Sequence, residues 1–365
     1  LKQHSITLAV LVLVSHFLGA CGSLPAAAPT DSPTGISLTD ARGRTVEFDA
    51  GPQRIVIAGK SSLTIVDTLY LFPAASERLV GLVVGKQPVG DFVSLLDPTW
   101  DQKTILELNA GPEQIAPLEP DVVLLRSFMA DSLGRPLEEL GIPVVYLDLE
   151  TPEQYFRDVA VLGQLMGDSA RAEAIRDYYQ SGLDQVEQAV AGVGEDQRPR
   201  VLLVQYSEQG GEVGLNVPSA AWLQTMEVEL AGGLPVWKEA APGGGWTVVN
   251  FEQIAAWDPN QILVVSYKAD AAQVVEELKA DPQWQALQAV QGGAVHGFPG
   301  DVFSWDQPDP RWILGVTWLA SKIHPDRFPD LDMERETIEF FAEMYGMEEE
   351  AVEASILPKV KGNVK

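Results

Sequence analysis

Pro117-Leu118-Glu119-Pro120-Asp121-Val122-Val123-Leu124 and, further along, Ile254-Ala255-Ala256-Trp257-Asp258-Pro259-Asn260-Gln261-Ile262-Leu263 are two versions of one local instruction. In each, a helical segment ends on a polar residue or proline. A Pro-Asp or Pro-Asn turn then starts a β-branched run that reads as a buried strand. A unit that occurs twice implies two equivalent lobes, and two lobes imply a cleft between them, the usual place for a small-molecule site.

Outward from the first copy, Arg54–Ala58, Leu79–Val84, Asp121–Leu125 and Pro143–Leu147 read as strands. Ser62–Leu71, Gly111–Leu118 and Ser132–Leu140 carry helical spacing. Strands alternating with helices predict parallel βαβ units. From Arg200 the pattern restarts, with strands at Val201–Gln205, Ile262–Ser266 and Ala294–Phe298 and helices near Ala220–Ala231 and Ala271–Lys279. Ile175, Tyr178, Tyr179, Leu183, Val186 and Val190 recur at three- and four-residue steps from about Asp168 to Val193, the signature of one helix of roughly 37 Å. The expected fold class is therefore α/β: two Rossmann-like lobes joined by one long α-helix, with the ligand cleft between the lobes. One continuous doubly wound sheet is the alternative. The expected boundaries are an N-terminal lobe over 38–165, the connecting helix over 166–195, a C-terminal lobe over 196–345 and an acidic-to-basic tail over 346–365.

The chain has 365 residues, 25 Lys+Arg against 52 Asp+Glu, 46% hydrophobic residues and one cysteine. An acidic balance of this size argues against a nucleic-acid partner. One cysteine excludes a disulfide framework, a Cys-based zinc site and an iron–sulfur cluster. Its position is informative. The apolar run Ile6–Val14 is too short to span a bilayer but suits the core of a signal peptide, and Leu18-Gly19-Ala20-Cys21 resembles the bacterial lipobox. The resemblance implies a signal peptide over 1–20 and lipidation at Cys21. Residues 21–37 are small, polar and Pro-rich, the composition of a flexible tether.

Thr39-Asp40-Ala41-Arg42-Gly43-Arg44-Thr45-Val46 followed by Pro52-Gln53-Arg54-Ile55-Val56 is similar to the opening of the class III (helical-backbone) substrate-binding proteins of ABC importers. The two helix-to-strand copies resemble their repeated motif, and Trp284-Gln285-Ala286-Leu287-Gln288-Ala289-Val290-Gln291-Gly292-Gly293-Ala294-Val295 their late helix–turn–strand signature. The matches run from about residue 38 to 330. The resemblance implies a monomeric extracytoplasmic lipoprotein that catalyses nothing and delivers a small-molecule ligand to an ABC permease and its ATPase. It would touch the membrane only through its lipid anchor. The ligands it suggests are metal-bearing complexes, a ferric siderophore first and a corrinoid or haem next, with an oxyanion such as molybdate or tungstate as the alternative. No resident cofactor or metal site is expected, because few histidines remain beside the single cysteine. A lipid-anchored hydrolase is the distant alternative, and no Gly-x-Ser-x-Gly elbow supports it.

Candidate ligand contacts follow from strand ends, where α/β lobes build their crevices. Lys60, Ser61 and Ser62 follow the first strand and open a helix, a place suited to anions; Lys60 could equally be a solvated loop lysine. Arg126, Tyr206 and Tyr267 end later strands, and Trp246 sits in a loop of the second lobe. In Phe303-Ser304-Trp305-Asp306-Gln307-Pro308-Asp309-Pro310-Arg311-Trp312, Trp305 offers a stacking face and Arg311 a planar fork for a carboxylate or oxyanion. Trp305 could also pack the lobe, and Arg311 could pair with Asp306 or Asp309. His324 reads as a helix cap and His296 as a strand residue. The resemblance implies permease docking through one acidic residue per lobe. Glu227 or Glu229 fits in the second lobe. Asp67 is the nearest substitute for the glutamate usual in the first.

Overall fold

Strands β3 (Ile55–Ile57), β4 (Leu79–Val83), β5 (Thr104–Leu106), β6 (Val122–Arg126) and β7 (Val144–Leu147) form the first sheet of the computed structural model, which describes residues 35–84 and 89–364. They follow a short antiparallel hairpin, β1 (Ile36–Thr39) and β2 (Thr45–Phe48). The sheet order is β5-β4-β3-β6-β7 and every pairing is parallel. Its inner strands β3, β6 and β7 are buried along their length and apolar up to the strand end at Arg126, because both faces are covered, while the edge strand β5 exposes Thr104 and Ile105. Ile55, Ile57, Leu124, Val145 and Leu147 join the larger core, while Val56, Ala58, Val123, Leu125, Val144 and Tyr146 pack on the opposite face. The chain reverses its winding between β3 and β6, so the crevice opens beyond their carboxyl ends.

The two helix-to-strand copies adopt the same geometry. Glu119 and Asp258, which end their helical segments, both have left-handed backbones, with φ of 46° and 43°. Asp121 Oδ2 then accepts from the backbone N–H groups of Gln53 (2.7 Å) and Arg54 (2.9 Å) at the start of β3. Asn260 Oδ1 accepts from Arg200 N at 2.8 Å, at the start of β8 (Arg200–Gln209). The Pro-Asp and Pro-Asn turns therefore align two neighbouring strands in each lobe.

In the second lobe β9 (Glu212–Val217), β10 (Leu234–Pro235), β11 (Thr247–Val249), β12 (Gln261–Val265) and β13 (Val295–Gly297) complete a sheet of order β11-β9-β8-β12-β13, with β10 also on β8. The β8, β10, β12 and β13 pairings are parallel, but β9 runs antiparallel to β8 and β11 antiparallel to β9. The expected strand ending at Gln205 continues to Gln209 and turns back through Gly210-Gly211, both at positive φ. A two-residue glycine turn of this kind matches the twist of a hairpin.

The connecting helix spans Ser169–Val190, 22 residues, capped by Asp168, whose side chain accepts from Arg171 N. It packs on the Pro152–Met166 helix of the first lobe and on the Trp312–Ile323 helix of the second. Its bounds are tighter than the expected 166–195, because Gly167 ends the preceding helix at φ 70°.

Residues 346–365 were expected to form a tail, and the described part does not. A helix covers Glu349–Ser355. Beyond it Lys361 bridges Gly300, Asn363 N donates to Gly297 O at 2.9 Å, and Trp318 Nε1 donates to Asn363 O at 2.7 Å. At the other end β1 already includes Ile36, so the last residues of the expected tether belong to the fold. The expected signal peptide, Cys21 and the rest of the tether lie outside the described residues. No described helix is long and apolar enough to cross a membrane.

Candidate ligand cleft

A cavity of about 940 Å³ lies between the lobes, at the crevice set by the β3/β6 reversal. The turn after β3 reaches it through two left-handed residues, Gly59 (φ 79°) and Ser61 (φ 55°). Strain of this kind in a non-glycine residue is concentrated at functional turns. Ser61, Ser62 and Thr64 line the cavity at the start of the Leu63–Leu69 helix. Arg126, at the end of β6, is 6% exposed. Its Nη1 donates to Thr64 Oγ1 and its Nη2 to Glu150 Oε2, each at 3.0 Å. Its Nε meets no acceptor among the described residues.

The turn after β7 supplies the cavity's two carboxylates, Asp148 and Glu150. Asp158 holds that turn, accepting from the N–H groups of Asp148 (2.6 Å) and Leu149 (2.9 Å). Ser127 Oγ donates to Asp148, which also pairs with Arg157 at 3.0 Å. Burial pushes the Glu150 carboxyl above its ordinary range, and the negative Asp148 adds to this while Arg126 opposes it.

The opposite wall is aromatic. Trp222 and Trp246 meet edge to face with centroids 5.6 Å apart, and Trp246 meets Tyr267 at 6.3 Å. The Tyr267 residue is 38% exposed, and its hydroxyl donates to Oδ2 of the buried Asp306 at 2.7 Å. Burial, then the Asp306 charge, raises that phenol well above its ordinary range. Phe128 and Leu108 project from the first lobe, 59% and 49% exposed, and Gln154, Gln224, Gln307 and Pro308 complete the contact surface.

Ser61, Ser62, Arg126, Trp246 and Tyr267, read from the sequence, thus come together. Tyr206 lines a separate 360 Å³ recess on the far side of Tyr267. Lys60 is exposed and does not line the cleft, because the left-handed Ser61 redirects the chain between them. Asp148 and Glu150, which closely follow the expected strand Pro143–Leu147, line the cleft as well, and the strand-end rule covers them too. His296 stands within β13 away from the cleft, lowered by burial to about 4, and His324 caps the Trp312–Ile323 helix.

Trp305 and Arg311 are not cleft residues; both are 0% exposed. Arg311 Nε donates to Asp301 Oδ1 and Oδ2 at 2.8 and 2.9 Å, and its Nη1 donates to Asp67. Trp305 Nε1 donates to the same Asp301 at 2.9 Å. The guanidinium lies 4.5 Å from the Phe92 ring centroid, 5.0 Å from Phe303 and 5.1 Å from Phe341. This hub joins the lobes, with Asp67 from the first, Arg311 from the second and Tyr345, which donates to Asp67 at 2.8 Å, from the C-terminal Met333–Tyr345 helix.

Asp67 (1% exposed) therefore cannot face a permease, and neither can Glu227 (0%). Glu227 packs under Gly315, where a Cβ would come within 2.5 Å of Trp305 O and 3.3 Å of Glu227 Oε1. Neither Glu227 oxygen has a donor among the described residues. Burial first, then the nearby Asp306 and Asp309, raises its carboxyl well above the ordinary range. Glu229 is the expected docking residue that remains at the surface, where it pairs with Lys238.

Among the described residues no group of three or more His, Cys, Asp or Glu is placed to hold a metal ion. The periplasmic binding protein family model matches residues 97–302, more than half of the 365. The chain is 25% identical over 333 residues to the molybdate-binding protein MolA of Haemophilus influenzae, covering 84% of this chain and 90% of MolA. MolA bound to molybdate superposes with a TM-score of 0.67 at 19% identity, over 85% of this chain and 98% of that one. A periplasmic solute-binding protein of Veillonella parvula gives 0.70 at 22% identity, covering 88% and 97%. The TroA-like protein FepB of the same organism also gives 0.70, at 17% identity, covering 85% and 96%. With its two α/β lobes and intervening cleft, the chain belongs to the periplasmic binding protein family, in the class III group that serves ABC transporters as extracytoplasmic solute-binding proteins.

Proposed function

We propose that this solute-binding protein captures a metal-bearing organic complex, a ferric siderophore-type chelate before a corrinoid or haem, and hands it to its permease while tethered through lipidated Cys21. The observation that carries the reading is the size and lining of the cleft. Its 940 Å³ is at the upper end of the range of about 300–1,000 Å³ typical of sites for organic ligands. Its walls offer indole, phenol and phenyl surface suited to a flat or conjugated chelate. Arg126 is the only cationic side chain among the lining residues and is already paired with Glu150. A small dianion in the same space would leave most of the aromatic wall unused and meet two carboxylates.

The likeness to MolA over 84% of the chain favours a second reading, molybdate or tungstate held near Arg126 and the Ser62 turn. Titration of the intrinsic tryptophan fluorescence separates the two. Ferrichrome, ferric dicitrate, cobalamin, haemin and molybdate are each added to the purified protein. Quenching by an iron chelate, with stabilisation of about 2.7 kcal/mol at a hundredfold excess over Kd, is the expected result. Binding of molybdate alone overturns the chelate reading.

A further inference from the structure

Beside the cleft, past Tyr267 and Gln307, which line both, opens a second cavity of about 490 Å³. Its floor is the Gly300–Ser304 loop, and its rim carries Lys268, Lys359 and Lys361. In a chain with 52 acids against 25 bases, lysines should find carboxylates. Lys103, Lys238 and Lys279 do. Lys268, Lys359 and Lys361 form no ion pair among the described residues, although Asp301 shares their cavity and Asp270 accepts from Gly362 beside Lys361.

Those carboxylates are engaged elsewhere. Asp301, in the cavity wall, has a fully buried side chain that holds Arg311 through both oxygens and accepts from Trp305. Asp270 caps the Ala271–Ala280 helix through Ala272 N and accepts from Gly362 N, both at 3.0 Å. The segment that bears Lys359 and Lys361 is held in place. Lys361 N donates to Gly300 O at 2.8 Å, and Gly297 N donates to Asn363 Oδ1 at 2.6 Å. The backbone of the C-terminal strap is thus held where Lys359 and Lys361 line the same cavity as Lys268, on the loop after β12.

The geometry points to an anion subsite of the ligand cleft, in which Lys268, Lys359 and Lys361 take a carboxylate or phosphate arm of a ligand seated against Trp246 and Tyr267. The inference rests on the metal-complex reading of the cleft. It narrows that reading to chelates with a free anionic group, a ferric hydroxycarboxylate or a corrinoid bearing a phosphodiester. Three ammonium groups supply ionised donors to such an oxygen, and the contiguous aromatic wall holds the rest of the molecule.

The test compares the full chain with its K268Q/K359Q/K361Q variant. Ferric dicitrate, cobalamin, uncharged ferrichrome, metal-free citrate and inorganic phosphate are titrated at low and high salt. Lys268 and Lys361 are exposed and Lys359 is half-buried, and none carries an ion pair to lose, so the melting temperature should hardly move. The expected result is a loss of roughly tenfold or more in affinity for the anionic ligand, with a flatter salt dependence, while ferrichrome is unaffected. Lysine-dependent binding of ferric dicitrate assigns the arm as carboxylate; of cobalamin alone, as phosphodiester. Unchanged anion affinity in the variant, an equal loss for ferrichrome, or no anion binding by the native chain overturns the subsite. If no metal complex binds but citrate or phosphate still does so through the lysines, the metal-complex reading fails and the anion site stands.

Discussion

Replacing Arg311 by methionine tests whether the lobes are locked by one buried cation. The substitution keeps most of the side-chain volume inside the ring cage of Phe92, Phe303 and Phe341. It removes the charge facing Asp67, Asp301 and, at 3.8 Å, Asp309. Removing one partner of a buried ion pair costs about 3–5 kcal/mol, because the partner is left desolvated. Here more than one carboxylate loses its cation, so the upper end applies. At roughly 2–4 °C per kcal/mol for domains of 150–250 residues, the melting temperature should fall by on the order of 10 °C. The loss should depend on pH. The orphaned carboxyls will be held above their unfolded pKa values, so between the two values the native state binds more protons than the unfolded state. Stability of the variant then falls as pH rises through that window and recovers as pH is lowered. Calorimetry at pH 5 and pH 8 reads both effects, and R311K, which keeps the charge but loses the fork to Asp301, should fall between. A drop no larger than that of an exposed control such as Arg176→Met, or a penalty equal at both pH values, would refute the ion-pair hub as the source of the coupling.

Glu227→Gln should behave in the opposite sense. The native carboxyl is raised well above its ordinary value by burial, so above the unfolded pKa native stability decreases by up to a factor of ten in the folding constant per pH unit. The amide lacks that slope, and urea melts from pH 4 to pH 8 should show the variant gaining on the native chain as pH rises. An unchanged difference across that range would mean that Glu227 stays ionised in the fold. For the ligand, Arg126→Met should weaken binding of any complex seated at the Ser62 turn by roughly tenfold, as for loss of a charged hydrogen bond. Lys60→Ala should leave affinity within a factor of two, about the scatter expected of a surface change; fluorescence titration of both checks the pair, and the reverse ranking would move the site to the exposed face of the turn.

What the sequence made legible is what local rules control. The paired turns at Asp121 and Asn260 required two similar lobes, and the ends of strands point to Ser61, Ser62, Arg126 and Tyr267 in the cleft lining, with Trp246 from a loop, but equally to Lys60 and Tyr206, which lie outside it. Asp148 and Glu150 stand at the end of β7 by the same rule, but as acids in a chain of 52 acids they carry no signal that separates them from solvated ones. The hairpin at Gly210-Gly211 is equally local, but the second half of β8 is less apolar than its first and does not read as strand.

The errors have one physical source, which is that charge chemistry does not say how far away its partner is. A guanidinium fork fits a ligand carboxylate and a core carboxylate equally well, and Arg311 took Asp67, 244 positions away, together with Asp301 in its own loop. The family resemblance implies surface acids at Asp67 and Glu227, and acids are usually exposed. Their burial depends on the Met333–Tyr345 helix and the Trp312–Ile323 helix closing over them from distant parts of the chain. That closure also explains why residues 346–365 are not a tail. Once the C-terminal helix is spent on sealing the Asp67–Arg311 hub, the strap beyond it lies beside the loop that Asp301 anchors. The ion pair that removes Arg311 from the cleft thereby holds the Asp301 loop beside the strap that carries Lys359 and Lys361. Lys359 and Lys361, in the stretch expected to be an acidic-to-basic tail, line a cavity beside the cleft, which Lys60 and Arg311 do not reach.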